Sequence, residues 1–348
     1  MKSRWAYLAK ADKKGFVSSI HIISLAALLQ YLLFRELPGL VFSAFGFFVN
    51  ELGILDSDFF RFWPPEELGY LFFNLMSLVT TLVACGATAA FVVFCEKKFA
   101  PENRPATDRV SYRFKLPKHT PALLVAGMCV MEFSMLAYNT LNYLLERFFG
   151  IFPIAPQGAE YYFPKSAAGI IVYFVSLVVA PALAEEFVCR YAMLNALKKY
   201  GNAFAIAATS VFFGFAHARM GAFVYATAMG VFLAYITLKT GSIWFAVILH
   251  ALVNFTSFFF QFLAFVPFLY EESIEIIYLL FRCAISLFCA IYLVTLSIKK
   301  RYGELKPPNG YVHIPTRQKL FFFFNAGSIV FFVLTMLKSA EGYRLGGR

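Results

Sequence analysis

Long apolar runs broken by short polar, basic segments fill most of this 348-residue chain. A helix that crosses a bilayer needs about 20 mostly apolar residues. Nine stretches approach or exceed that length: Phe16–Phe34, Gly69–Cys95, Thr120–Leu145, Ser166–Leu197, Asn202–His217, Met220–Leu238, Ile243–Phe265, Ile276–Ile298 and Leu320–Leu337. Leu37–Val49 is apolar but shorter and reads as an interfacial or re-entrant segment. The pattern predicts an all-α polytopic membrane protein of about nine transmembrane helices, with eight or ten as the alternatives. It divides into N-terminal spans (1–165), a central core of four helices (166–265) and C-terminal spans (266–348).

Charge placement supports this division. Twenty-two of the 31 Lys and Arg residues fall in the N-terminal tail, 96–119, 190–202, Lys239 and 299–319. Eight fall in the alternate loops and the C-terminal tail, and Arg282 lies inside a span. Cytoplasmic loops carry the basic excess, so the N-terminus is expected in the cytoplasm and the C-terminus outside. The same placement accounts for the net charge of +11 without a nucleic-acid partner. Composition agrees: 60% of residues are apolar and 19% aromatic, which excludes a disordered chain. The first apolar run follows 15 polar-rich residues and exceeds a signal-peptide core, so no cleavable leader is expected. Cys85, Cys95, Cys129, Cys189, Cys283 and Cys289 sit in or beside spans without framework spacing, which speaks against disulfides and a cysteine zinc site.

Ionisable groups inside spans are rare and mark functional positions by default. Here they concentrate between residues 185 and 254: Glu185, Glu186 and Arg190 in the fourth span, His217 ending the fifth, and His250 with Asn254 in the seventh. Glu186 and Arg190 are four residues apart, so on a helix they share a face and can neutralise each other. His250 and Asn254 share a face for the same reason. Gly201 reads as the turn between the fourth and fifth spans. Glu185 and His217 stand equally far from it, about 24 Å at 1.5 Å per residue. Asn254 stands about 20 Å beyond the Thr240–Gly241 turn. A carboxylate, two imidazoles and a carboxamide can therefore meet at one depth. Spacing alone leaves two readings of that meeting, a catalytic centre or a path for ions or protons.

At these residues the sequence resembles a known family. Glu185-Glu186-Phe187-Val188-Cys189-Arg190 fits the EExxxR motif of the CAAX-protease and bacteriocin-processing (abortive infection) family. Phe213–His217 fits its FxxxH motif. Thr240–Trp244 with His250–Asn254 resembles its TGSxW and HxxxN block. The resemblance covers Val179–Thr256 and implies similarity to type II prenyl-protein endoproteases, which are all-helical intramembrane glutamate proteases. It implies that Glu185 is the catalytic carboxylate, with His217 helping to activate water. It further implies that His250 and Asn254 hold the oxyanion, with Glu186 and Arg190 in support. Phe213 takes the motif's aromatic position, packed beside the site.

Amide hydrolysis needs a nucleophile, a place for its proton and donors aimed at the developing oxyanion. No Ser or Cys pairs with a base, and a buried Cys189 in apolar surroundings is inert. Water is then the nucleophile. The expected substrate is a peptide or protein, lipid-modified in the best-known relatives, reached in contact with membrane lipids. No cofactor is expected. Zinc held by the two His and Glu185 is the alternative, although HExxH is absent. Two non-enzymatic readings stand beside the protease: an immunity or regulatory scaffold, and a transporter suggested by Glu132 and Arg282. The heavy Phe usage and the lack of an organelle address point to a bacterial plasma membrane.

Overall fold

The computed structural model describes residues 2–51, 65–99, 109–116, 120–149, 154–156, 163–218, 220–265, 314–341 and 343–345, with scattered positions between 276 and 295. They form nine helices: α1 (Lys2–Glu51), α2 (Pro65–Phe99), α3 (Thr120–Phe149), α4 (Ala167–Tyr200), α5 (Asn202–Ala216), α6 (Met220–Thr240), α7 (Trp244–Ala264), α8 (Thr316–Phe324) and α9 (Ala326–Glu341). A three-residue antiparallel ribbon, β1 (Ile154–Pro156) with β2 (Tyr343–Leu345), completes an otherwise helical architecture.

Among the described residues five helices are long and apolar enough to cross a membrane. They become six when α8 and α9, bent 48° at Asn325, count as one span. The difference from nine has local causes. Helix α5 has 15 residues, about 22 Å of rise against a hydrocarbon core of about 30 Å. The third stretch is helical, with Leu123–Ser134 as its described apolar part. Most of Ile276–Ile298, including Arg282, Cys283 and Cys289, lies outside the described residues. Leu37–Val49 continues α1 without a break, and the first candidate span runs on to Ala44 through Pro38. Many large apolar side chains face outward, among them Leu40, Phe42, Phe73, Phe94 and Phe324, each more than 60% exposed. Such a surface suits hydrocarbon rather than water.

Helix α4 carries the acidic pair and is fastened at both ends. Ser166 caps its start, accepting from the Gly169 N–H at 3.1 Å. Glu67 on α2 takes up the orphan donors there, accepting from the Lys165 backbone N–H and from the Ser166 hydroxyl at 2.9 Å. At the other end Lys199 pairs with Glu96 of α2 at 3.1 Å. Gly201, at φ 126°, then makes the turn into α5 in a region open to glycine. Between its ends α4 widens twice, over Val175–Val179 and Phe187–Met193, where backbone bonds reach five residues back. The first widening precedes Pro181, whose ring has no N–H and crowds the carbonyl a turn earlier; a wider turn relieves that crowding.

The helix ends sort onto two faces. On one face, the strand-like segment 109–116 lies across the turn between α6 and α7. The Ser111 N–H donates to the Gly241 carbonyl at 2.8 Å, and the Trp244 indole N–H to the Tyr112 carbonyl at 2.6 Å. Asn195 of α4 bonds both backbone groups of Val110. On the opposite face lie the Glu67 cap, the β1–β2 ribbon and the end of α9. Helices α5 and α6 approach closely because a Cβ on Gly214 would meet Thr227 Oγ1 at 2.1 Å. Small residues at crossing points are what let membrane helices draw together.

Candidate active site

A continuous polar chain runs from α4 to α7 through buried space. Arg190 Nε stands 3.0 Å from Glu186 Oε2, an ion-pair contact rather than an aligned hydrogen bond, with both side chains fully buried. The other Glu186 oxygen is 3.0 Å from His250 Nδ1. The far side of that imidazole, Nε2, is 4.0 Å from Glu185 Oε2. The order is Arg190, Glu186, His250, Glu185. The two adjacent carboxylates differ in exposure, since the Glu185 side chain is 22% exposed and that of Glu186 is sealed.

Phe213 on α5 is the hub of this cluster. Its ring lies under the Arg190 guanidinium, 4.6 Å from centroid to Cζ, a cation–π contact in a desolvated setting. It meets His217 and His250 edge-on, at 4.9 and 5.7 Å. His217 caps the C-terminal end of α5, and its Nδ1 is 2.8 Å from the Phe213 carbonyl. A carbonyl only accepts, so Nδ1 carries a proton, and in the neutral ring Nε2 presents a lone pair. The next residue, Ala218, holds φ 47°, a left-handed conformation that a Cβ makes unfavourable. Asn254 lies one turn beyond His250 on the same helix, half-buried, with no hydrogen bond to another described residue.

Six of the seven predicted residues are thus joined by direct contacts: Glu185, Glu186, Arg190, Phe213, His250 and, through the Phe213 ring, His217. Among the described residues, His250 rather than His217 is the imidazole within 4.0 Å of Glu185. No group of three or more His, Cys, Asp or Glu side chains among the described residues is placed to hold a metal ion. The contact between Glu186 and His250 escaped the sequence reading, as did the close packing at Gly214. The first joins positions 64 residues apart, and the second falls on an unspecified position of the FxxxH motif.

These residues lie within a single recognisable segment. Residues 167–256 match the family model described as type II CAAX prenyl endopeptidase Rce1-like. Over that segment the chain is similar to this family. The match begins at the first residue of α4 and ends within α7, so it takes in both carboxylates, both imidazoles and Asn254. It spans about a quarter of the chain. No curated protein and no solved structure matches the chain. The family is one of endopeptidases, and the apolar helices around its core make this chain an integral membrane protein.

Proposed function

We propose that this Rce1-like chain is an intramembrane endopeptidase in which Glu185 activates water against a peptide carbonyl. The observation that carries the reading is the division of labour between the two carboxylates. Glu186 is sealed and committed to Arg190 and His250, while Glu185 is partly exposed and faces the free side of the His250 ring. A carboxylate accepting at Nδ1 fixes the orientation of an imidazole, as in the Ser-His-Asp arrangement. With Nδ1–H given to Glu186, His250 donates from Nε2 only as imidazolium. Its charge is then balanced by Glu185, while Glu186 and Arg190 balance each other.

The step follows from these assignments. Water held between Glu185 and His217 Nε2 attacks the carbonyl carbon, and its proton passes to Glu185. The carbonyl π pair moves onto oxygen, where His250 Nε2–H and the Asn254 carboxamide N–H donate to it. The tetrahedral centre collapses with cleavage of the C–N bond, and Glu185 returns the proton to the leaving amine. The partner is a peptide or protein segment lying against or within the membrane, with no cofactor in the reaction. The family match supports this substrate class, and the relatives' preference for prenylated termini makes a lipid-modified substrate the first to try.

Glu185→Gln keeps the size of the side chain and removes the base. Quantitative proteomics of membrane fractions from cells bearing wild type or Glu185→Gln should reveal an uncut terminus in the variant, at equal protein abundance. The same cleavage, reconstituted in vesicles, should survive a strong chelator. A Glu185→Gln protein that leaves every terminus and the cellular phenotype unchanged would favour a scaffold or immunity role.

A further inference from the structure

A cavity of about 200 Å³ lies between α1, the end of α5 and α9, apart from the Glu185 cluster. Its walls include Ala27, Phe34 and Phe331, and it reaches Ala216 and Ala218 on either side of His217. Two polar residues also line it, but their donors are engaged. Gln30 Nε2 bonds Cys85 Sγ at 3.7 Å, and the Tyr31 hydroxyl bonds the Leu334 carbonyl at 3.2 Å. The body of the cavity is therefore apolar. Its remaining lining residues are two cations, Arg35 and Lys338. Arg35 also pairs with the exposed Glu36 at 3.1 Å, a surface contact of the kind that exchanges readily.

Position in the membrane gives this arrangement its meaning. With Lys13 at one edge of the hydrocarbon, Arg35 stands about 33 Å along α1 at the other edge, and the long candidate span runs on past it to Ala44. Lys338 closes the last candidate span. Both cations thus sit at headgroup level on one face. The apolar floor at Ala27 lies about 12 Å deeper, toward the bilayer centre. A cationic rim over an apolar shaft complements an anionic amphiphile. An apolar cavity of about 150 Å³ already accepts benzene, so this one has room for the first part of an acyl chain.

We propose that this cavity binds an anionic phospholipid of the surrounding bilayer, with its phosphate at Arg35 and Lys338 and one acyl chain running inward past Phe34 and Phe331. The inference is independent of the proposed chemistry, because the site uses none of the Glu185 cluster. Native mass spectrometry of the delipidated full-length protein tests it by titration with phosphatidylglycerol against phosphatidylcholine of the same chains. Phosphatidylglycerol adducts should form at roughly tenfold lower concentration. Arg35→Gln with Lys338→Gln should weaken them by about 10- to 30-fold, given the worth of a basic residue beside anionic lipid. Ala216→Phe narrows the shaft from a position already exposed at its wall, and should weaken adducts of both lipids while both cations remain. If the double variant does not elute as a folded species, Lys338→Gln alone, at an exposed helix end, should weaken phosphatidylglycerol by about fivefold. Equal binding of the two lipids, a preference that survives loss of the cations, or indifference to Ala216→Phe would each overturn the assignment.

Discussion

Asn254 carries a carboxamide that no other described residue engages, on the same face of α7 as His250, whose Nδ1 is committed to Glu186. An unspent donor beside the candidate site is what an oxyanion requires. Replacing such a donor commonly lowers turnover by about 10²- to 10³-fold. Asn254→Ala should therefore reduce kcat by about that factor and change KM little, measured as initial rates on the terminus identified through Glu185→Gln. A fall confined to KM would instead mean that Asn254 binds the substrate without following the reaction. The Glu186–Arg190 pair was legible in the sequence because four-residue spacing holds even across a widened turn. The grip of Glu186 on His250 was not, because it depends on how two helices distant in sequence rotate against each other.

At the scale of elements, the length of α5 does most to shape the site. The sequence shows an apolar run ending at His217, and the structure ends the helix there, after 15 residues. A short helix leaves its last residue inside the protein, where an imidazole can serve chemistry. Its partner α6 is close enough that Gly214 has no room for a side chain. Gly214→Ala would force α5 and α6 apart by bringing a methyl group against Thr227 and the Phe223 backbone. Overpacking of this kind costs about 1–3 kcal/mol. We expect a lower Tm in detergent and a matching loss of cleavage, since His217 moves with the helix end. An unchanged Tm would show that the pair can slide to make room. The widened turns of α4 were only half legible: Pro181 announces the first, and no residue type marks the second.

Across the whole molecule, the grouping of the basic loops on one side was readable in advance. Segments 96–119, 190–202 and Lys239 were placed on one side by charge, and the contacts of Glu96 with Lys199 and of Ser111 with Gly241 join those segments. The fastening of α4 to α2 at the other side was not readable, because Glu67 lies in a stretch with no motif. Its carboxylate, nearly buried, receives donors from the start of α4. Glu67→Ala leaves those donors unsatisfied, a loss of about 1–3 kcal/mol. The expected outcome is a lower Tm and faster amide exchange at residues 165–169, with the Glu185 cluster some 27 Å along the helix retaining its contacts. Exchange that accelerates equally along all of α4 would mean that Glu67 holds the entire helix rather than its end.

The indole of Trp244 is bound on one edge to the Tyr112 carbonyl and flanked by Phe114, so its ring is tied to a segment outside the bundle. Trp5 and Trp63 are the chain's other two tryptophans, and Phe substitution at both would leave this ring as a single optical reporter. Its emission would then follow the detachment of residues 109–116 from the loop that launches α7, giving a spectroscopic handle on the basic-loop side without an added label.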